Sequence, residues 1–107
     1  MKRVAQVIGL DPEQIDEYER IHREVWPGVL AQIKGSGIQN YSIYRYGNLL
    51  FSYFEYVGDD YEADMAAMAE DPTTQEWWAV CEPKQRPVAE REEGEWWHTV
   101  PEVFHLD

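Results

Sequence analysis

Two side chains that can handle protons stand four residues apart, Tyr18 and His22. They lie in a stretch where Ile15, Tyr18, His22 and Val25 recur at helical spacing. Residues at i and i+4 share a helix face, so the phenol and the imidazole reach into one space. Tyr41 follows on a strand-like run, and Trp77 and Trp78 follow on a later helical stretch. Imidazole changes charge near neutral pH, a phenol both donates and accepts, and an indole offers a flat apolar wall. That set describes a pocket for a small polar molecule with one apolar face, as a sugar has, worked by acid–base chemistry without a cofactor. Adjacent residues on a helix point about 100° apart. One of Trp77 and Trp78 therefore belongs to the core and the other to a pocket or interface.

Other chemistries find little support. His22, His98 and His105 are scattered, without the close pairs of a zinc site. Cys81 is the only cysteine, so no intrachain disulfide can form, and beside Trp78 it reads as a small buried hydrophobe. Free thiol usage fits a reducing cytosol. The chain has 21 acidic and 9 basic residues and a net charge of -12, which disfavours phosphate backbones and anionic membranes as partners. No secretory leader and no apolar run of membrane-spanning length is visible. Aromatic residues make up 14% of the chain, more than one modest core needs, so some should line a pocket or an interface.

These residues need a scaffold. At 107 residues the chain is expected to form one domain, 1–107. Residues 3–9 read as a first strand. Asp11-Pro12-Glu13-Gln14 reads as a helix start, with Asp11 capping, Pro12 in the first turn and Gln14 in a capping-box position. Pro27 should break the helix near Trp26, and a second piece, Val29 to Lys34, ends at Gly35-Ser36-Gly37. Runs 38–46 and 49–57 are β-rich, and Gly47-Asn48 between them signals a hairpin. Helices are expected over 60–70 and from Asp71-Pro72 to about Cys81. Residues 83–95 read as an exposed charged connection. A last strand is expected from Val100 to Leu106. Trp96 and Trp97 read as packing or dimer contacts, or less readily as a lid.

The order β-α-β-β-α-β is the split βαβ, ferredoxin-like arrangement: α+β, an antiparallel four-stranded sheet with helices on one face. The aromatic residues of 41–56 supply both faces of the sheet. The face away from the helices needs a cover, and a second copy of the chain, packed sheet to sheet as a dimeric α+β barrel, is the simplest one.

Seven stretches together carry a resemblance. They are Tyr18-Glu19-Arg20-Ile21-His22, Val25-Trp26-Pro27, Asn40-Tyr41-Ser42-Ile43, Asn48-Leu49-Leu50-Phe51, Gln75-Glu76-Trp77-Trp78, Gly94-Glu95-Trp96-Trp97 and the terminal Glu102-Val103-Phe104-His105-Leu106-Asp107. In this order and spacing the chain resembles the L-rhamnose mutarotase family. The resemblance implies a cytosolic homodimer that interconverts the anomers of a free 6-deoxyhexose with no metal and no organic cofactor. It implies that His22 is the proton donor and that Tyr18, Tyr41, Trp77 and Trp78 bind the sugar. A related mutarotase acting on L-fucose, a barrel monooxygenase or cyclase, and a non-catalytic binding domain are the competing readings.

Overall fold

A computed structural model describes residues 1–107. Strand β1 (Lys2–Leu10) is followed by a 3-10 turn (Pro12–Gln14), helix α1 (Ile15–His22) and helix α2 (Pro27–Gly35). Strands β2 (Ile38–Tyr46) and β3 (Leu49–Tyr56) precede helices α3 (Tyr61–Glu70) and α4 (Pro72–Cys81). The chain closes with the short strands β4 (Gln85–Arg86) and β5 (His98–Val100). All pairings are antiparallel, in the order β2-β3-β1-β4, with β5 also on β1. This is the expected α+β, ferredoxin-like sheet.

The turn chemistry explains the boundaries. Asp11 accepts a hydrogen bond from the Glu13 backbone N–H, but the first turn is 3-10, and Gln14 makes no capping bond where a capping box was expected. Pro27 opens α2 instead of kinking α1, because a proline is tolerated where no intrahelical N–H is needed. Gly47 at φ +60° supplies the positive dihedral of the two-residue hairpin that pairs Tyr46 with Leu49. Asp71 caps α4 by accepting from the Thr74 N–H and hydroxyl, both at 2.9 Å.

Alternation in β1 and β3 sends Val4, Ile8, Leu10, Leu50 and Phe54 toward the helices, where all are buried. The main core joins Ile8, Leu10 and Leu50 to Tyr18, Val29, Trp77 and Cys81. On the opposite face Tyr44 and Phe51 pair across β2 and β3 and remain exposed.

Two expectations need correction. The last strand is not 100–106: residues 101–107 form no strand, and Val103, Phe104 and Leu106 are exposed. Their alternating apolar pattern is strand-like, but the free edge of β1 is taken by β4 and β5. The 83–95 stretch is also not wholly an exposed connection, since it contains β4 and the buried Gln85. Arg86 pairs with Gly9 and His98 with Val7, so β4 and β5 are two halves of one fourth strand, interrupted by residues 87–97.

Candidate active site

The interrupted strand helps to form a half-open cavity with an extensive apolar and polar lining. Residues 94–97 return over the helix-facing side of the sheet and wall a volume of about 470 Å³. Tyr41 and Trp78 line it. Tyr41 reaches the cavity because of a β-bulge: Asn40 and Tyr41 together stand opposite Phe54, with Asn40 at φ +51°. The extra residue turns Tyr41 onto the inner face, where its ring lies 5.4 Å from that of Phe54. The residue is 41% exposed overall, but its hydroxyl end is enclosed. That burial pushes the Tyr41 phenol up to about 12, so it stays protonated and able to donate.

His22, Tyr18 and Trp77 form a second group. The His22 ring stacks on Tyr18 at 4.1 Å and meets the edge of Trp77 at 5.2 Å. His22 Nδ1–H donates to the Tyr18 carbonyl oxygen at 2.7 Å. A carbonyl only accepts, so the neutral ring carries its hydrogen on Nδ1 and leaves Nε2 as a base. Burial lowers the His22 pKa, against the opposing pull of the Tyr18 carbonyl. The resting imidazole is therefore neutral at pH 7. His22 and Tyr18 open onto a groove of about 320 Å³, shared with Ile43, Tyr44 and Arg45, and Arg45 is ion-paired to Glu19 of α1. Trp77 is buried and also packs edge-on against Trp26 at 5.1 Å.

Tyr18 lines the His22 groove, and Gln85 lines the cavity. The Tyr18 ring faces His22, and its hydroxyl accepts from Gln85 Nε2–H at 3.0 Å, which links the two spaces. Burial raises the Tyr18 phenol well above its ordinary range. The five site residues expected from the sequence thus fall into two sets: Tyr41 and Trp78 in the cavity, His22 and Trp77 behind Tyr18. The tryptophan pair divides as helix geometry requires, Trp77 into the core and Trp78 toward the cavity.

The sequence reading missed Gln85, Glu95, Gln6 and Thr99 as cavity residues, and it ranked Trp96 and Trp97 as packing contacts before pocket ones. Trp96 Nε1–H donates to Gln85 Oε1 at 2.7 Å. Gln6 Nε2–H donates to the Thr99 hydroxyl at 3.3 Å. Glu95 accepts from the Glu92 N–H at 2.8 Å, His98 Nδ1–H at 2.9 Å and the Thr99 N–H at 3.2 Å. These donors hold its carboxyl at about 2. A fixed anion, neutral donors and three indoles now surround one volume. Only the Trp96-Trp97 doublet hinted at this in the sequence, because a glutamine in a charged stretch carries no pattern.

Residues 3–106 match the family model described as L-rhamnose mutarotase. The chain belongs to the L-rhamnose mutarotase family. A relative named L-rhamnose mutarotase, from Oceanobacillus iheyensis, is 35% identical, with 100% of both chains aligned. One named L-fucose mutarotase, from Xanthomonas campestris, is 37% identical over 99% of this chain and 89% of its own. The solved L-rhamnose mutarotase of Formosa agariphila shares the fold at a TM-score of 0.78 and 23% identity, covering 100% of both chains. Within the mutarotase family fold, no helix of this chain is long and apolar enough to cross a membrane.

Proposed function

We propose that this chain is an isomerase that interconverts the α and β anomers of free L-rhamnose, with no metal and no organic cofactor. The observation that carries the reading is the cavity under residues 94–97, in a chain matched to the family over residues 3–106. An uncharged deoxysugar needs hydroxyl partners on one side and an apolar wall for its methyl and C–H face. Tyr41, Gln6, Gln85 and Thr99 serve the first need, and Trp78, Trp96 and Trp97 the second.

Anomerisation moves one proton from the anomeric hydroxyl to the ring oxygen while the C1–O5 bond breaks. The aldehyde then rotates and the steps run in reverse. His22 is assigned the shuttle. Neutral Nε2 takes the anomeric proton, and the imidazolium donates it to the departing ring oxygen, so atoms and charge balance over the cycle. Its role as donor follows its role as acceptor, in keeping with its lowered pKa. Tyr18 and Tyr41, both kept protonated, stabilise the developing oxyanion by donation. Trp78 packs on the sugar, and Trp77 backs the His22 ring. The proposal carries a geometric requirement: the sugar must contact the cavity and also meet His22 Nε2 around Tyr18.

Exchange NMR of the anomeric protons tests this directly. Acceleration of α/β exchange for L-rhamnose supports the reading, and its loss in His22→Gln assigns the shuttle. Acceleration for L-fucose alone, which the relative from Xanthomonas campestris favours, changes the substrate and leaves the reaction. No acceleration with either sugar overturns the proposal. We further propose a cytosolic homodimer packed through the exposed Tyr44–Phe51 sheet face. That face and the apolar side chains of 103–106 lack cover within one copy.

A further inference from the structure

We infer that Gln85 is a positioning residue that aims the Tyr18 hydroxyl at the sugar and reports to it whether the 87–97 segment is seated over the cavity. The inference rests on the mutarotase reading above and gives Gln85 a second role beside its place among the hydroxyl partners.

An indole nitrogen can only donate, so the Gln85 amide must present Oε1 to Trp96 Nε1–H, 2.7 Å away. The same amide must then present its NH₂ to Tyr18, 3.0 Å away. Tyr18 is left with no choice but to accept. Its own O–H hydrogen has no protein acceptor, although the residue is only 3% exposed. A buried hydroxyl with an unused donor is costly, and an acceptor supplied by a ligand relieves that cost. Ring and hydroxyl oxygens of a sugar are such acceptors. Tyr18 is therefore preset to donate.

The chain of bonds also crosses a structural seam. Gln85 lies in β4, just before the fourth strand breaks, and Trp96 lies near the end of the excursion, just before β5 resumes. If the excursion lifts, Trp96 leaves, the amide is free to turn over, and Gln85 Oε1 can accept the Tyr18 hydrogen instead. Tyr18 then ceases to be a donor to a sugar beside His22. Seating of residues 87–97 and readiness of Tyr18 are thus one event.

Gln85→Glu tests the direction of the relay. The two side chains have nearly the same shape, but an ionised carboxylate at this position would accept from both Trp96 and Tyr18 and capture the Tyr18 hydrogen. Protonation at lower pH restores one donor and one acceptor and so mimics the native amide. We expect the catalysed exchange rate of Gln85→Glu, with background subtracted, to fall at least about 10-fold at pH 8 and to recover toward wild type as the pH drops. A loss that is the same at every pH makes Gln85 merely structural and overturns the inference, as does an unchanged rate. Because a folding defect would blur the kinetics, the Trp96 indole N–H resonance is read in parallel, in wild type and Gln85→Leu. A clear upfield move in Gln85→Leu is expected, and an unmoved resonance refutes the relay. Wild-type protein that accelerates neither sugar ends the mutarotase reading, while the indole resonance still decides the relay.

Discussion

Replacing each tryptophan of the α4 pair by alanine should produce two different failures. Trp77 is 7% exposed, sits in the main core and makes edge-on contacts with His22 and Trp26. A tryptophan buries roughly 150–250 Å². At about 25 cal/mol per Å² its loss removes ~4–6 kcal/mol, close to the ~3–5 kcal/mol typical of large aromatic truncations. A domain of this size has only about 5–15 kcal/mol in total. Trp77→Ala should therefore lose about a quarter or more of the stability. With a urea dependence of about 1–2 kcal/mol per molar, the midpoint should drop by ~2–6 M. Trp78 is half-buried and has the open cavity on one side. Trp78→Ala should cost under ~2 kcal/mol of stability and weaken sugar binding about 10-fold or more, since it removes a stacking wall. Urea unfolding followed by fluorescence, with sugar affinity by calorimetry, separates the two. Equal loss of stability in both variants, or unchanged affinity in Trp78→Ala, would refute the division of labour.

Four further outcomes are expected. His22 has a folded pKa below its ordinary value of 6.5, so the unfolded chain binds a proton first as pH falls and stability declines below about pH 6.5; the catalysed rate should show an acid limb in the same range that is missing from the residual activity of His22→Gln. Gly9→Ala would place a Cβ 2.5 Å from the Arg86 carbonyl oxygen, so β4 should shift from β1, and sugar exchange should fall with only a modest loss of stability, measured by NMR and thermal melting. Phe51→Arg, in the centre of the exposed sheet face, should shift the sedimentation coefficient to that of a monomer. Ser52 buries a hydroxyl that has no hydrogen-bond partner, so Ser52→Ala should raise stability by up to ~1 kcal/mol in a melting experiment.

The parts of this molecule governed by local rules were readable in advance. Asp71-Pro72 starts a helix because the carboxylate and the ring each fit one position, and Gly47 permits the hairpin. The i, i+4 relation of Tyr18 and His22 correctly placed both on one helix. What failed was nonlocal. Val103, Phe104 and Leu106 look like a strand, but a strand needs a free edge, and β1 had none left. Gln85 looks like a solvated residue among charges, and only pairing with Gly9-Leu10 of β1 buries it. Tyr41 was placed on a strand, but the bulge that turns it inward comes from a register shift no single run reveals.

The broken fourth strand also says how this scaffold could change its diet. Residues 87–97 leave β1 opposite Gly9 and rejoin it opposite Val7, so the excursion starts and ends at nearly the same place on one rigid strand. Doubling the length of such a loop costs only about 0.6 kcal/mol in closure entropy. Insertions or deletions within residues 87–93, which leave the core contact of Trp97 and the Trp96–Gln85 bond in place, would therefore spare sheet register and core while rebuilding the rim of the pocket. Selectivity among sugars becomes a detachable module, open to exchange between relatives without renegotiating the fold beneath it.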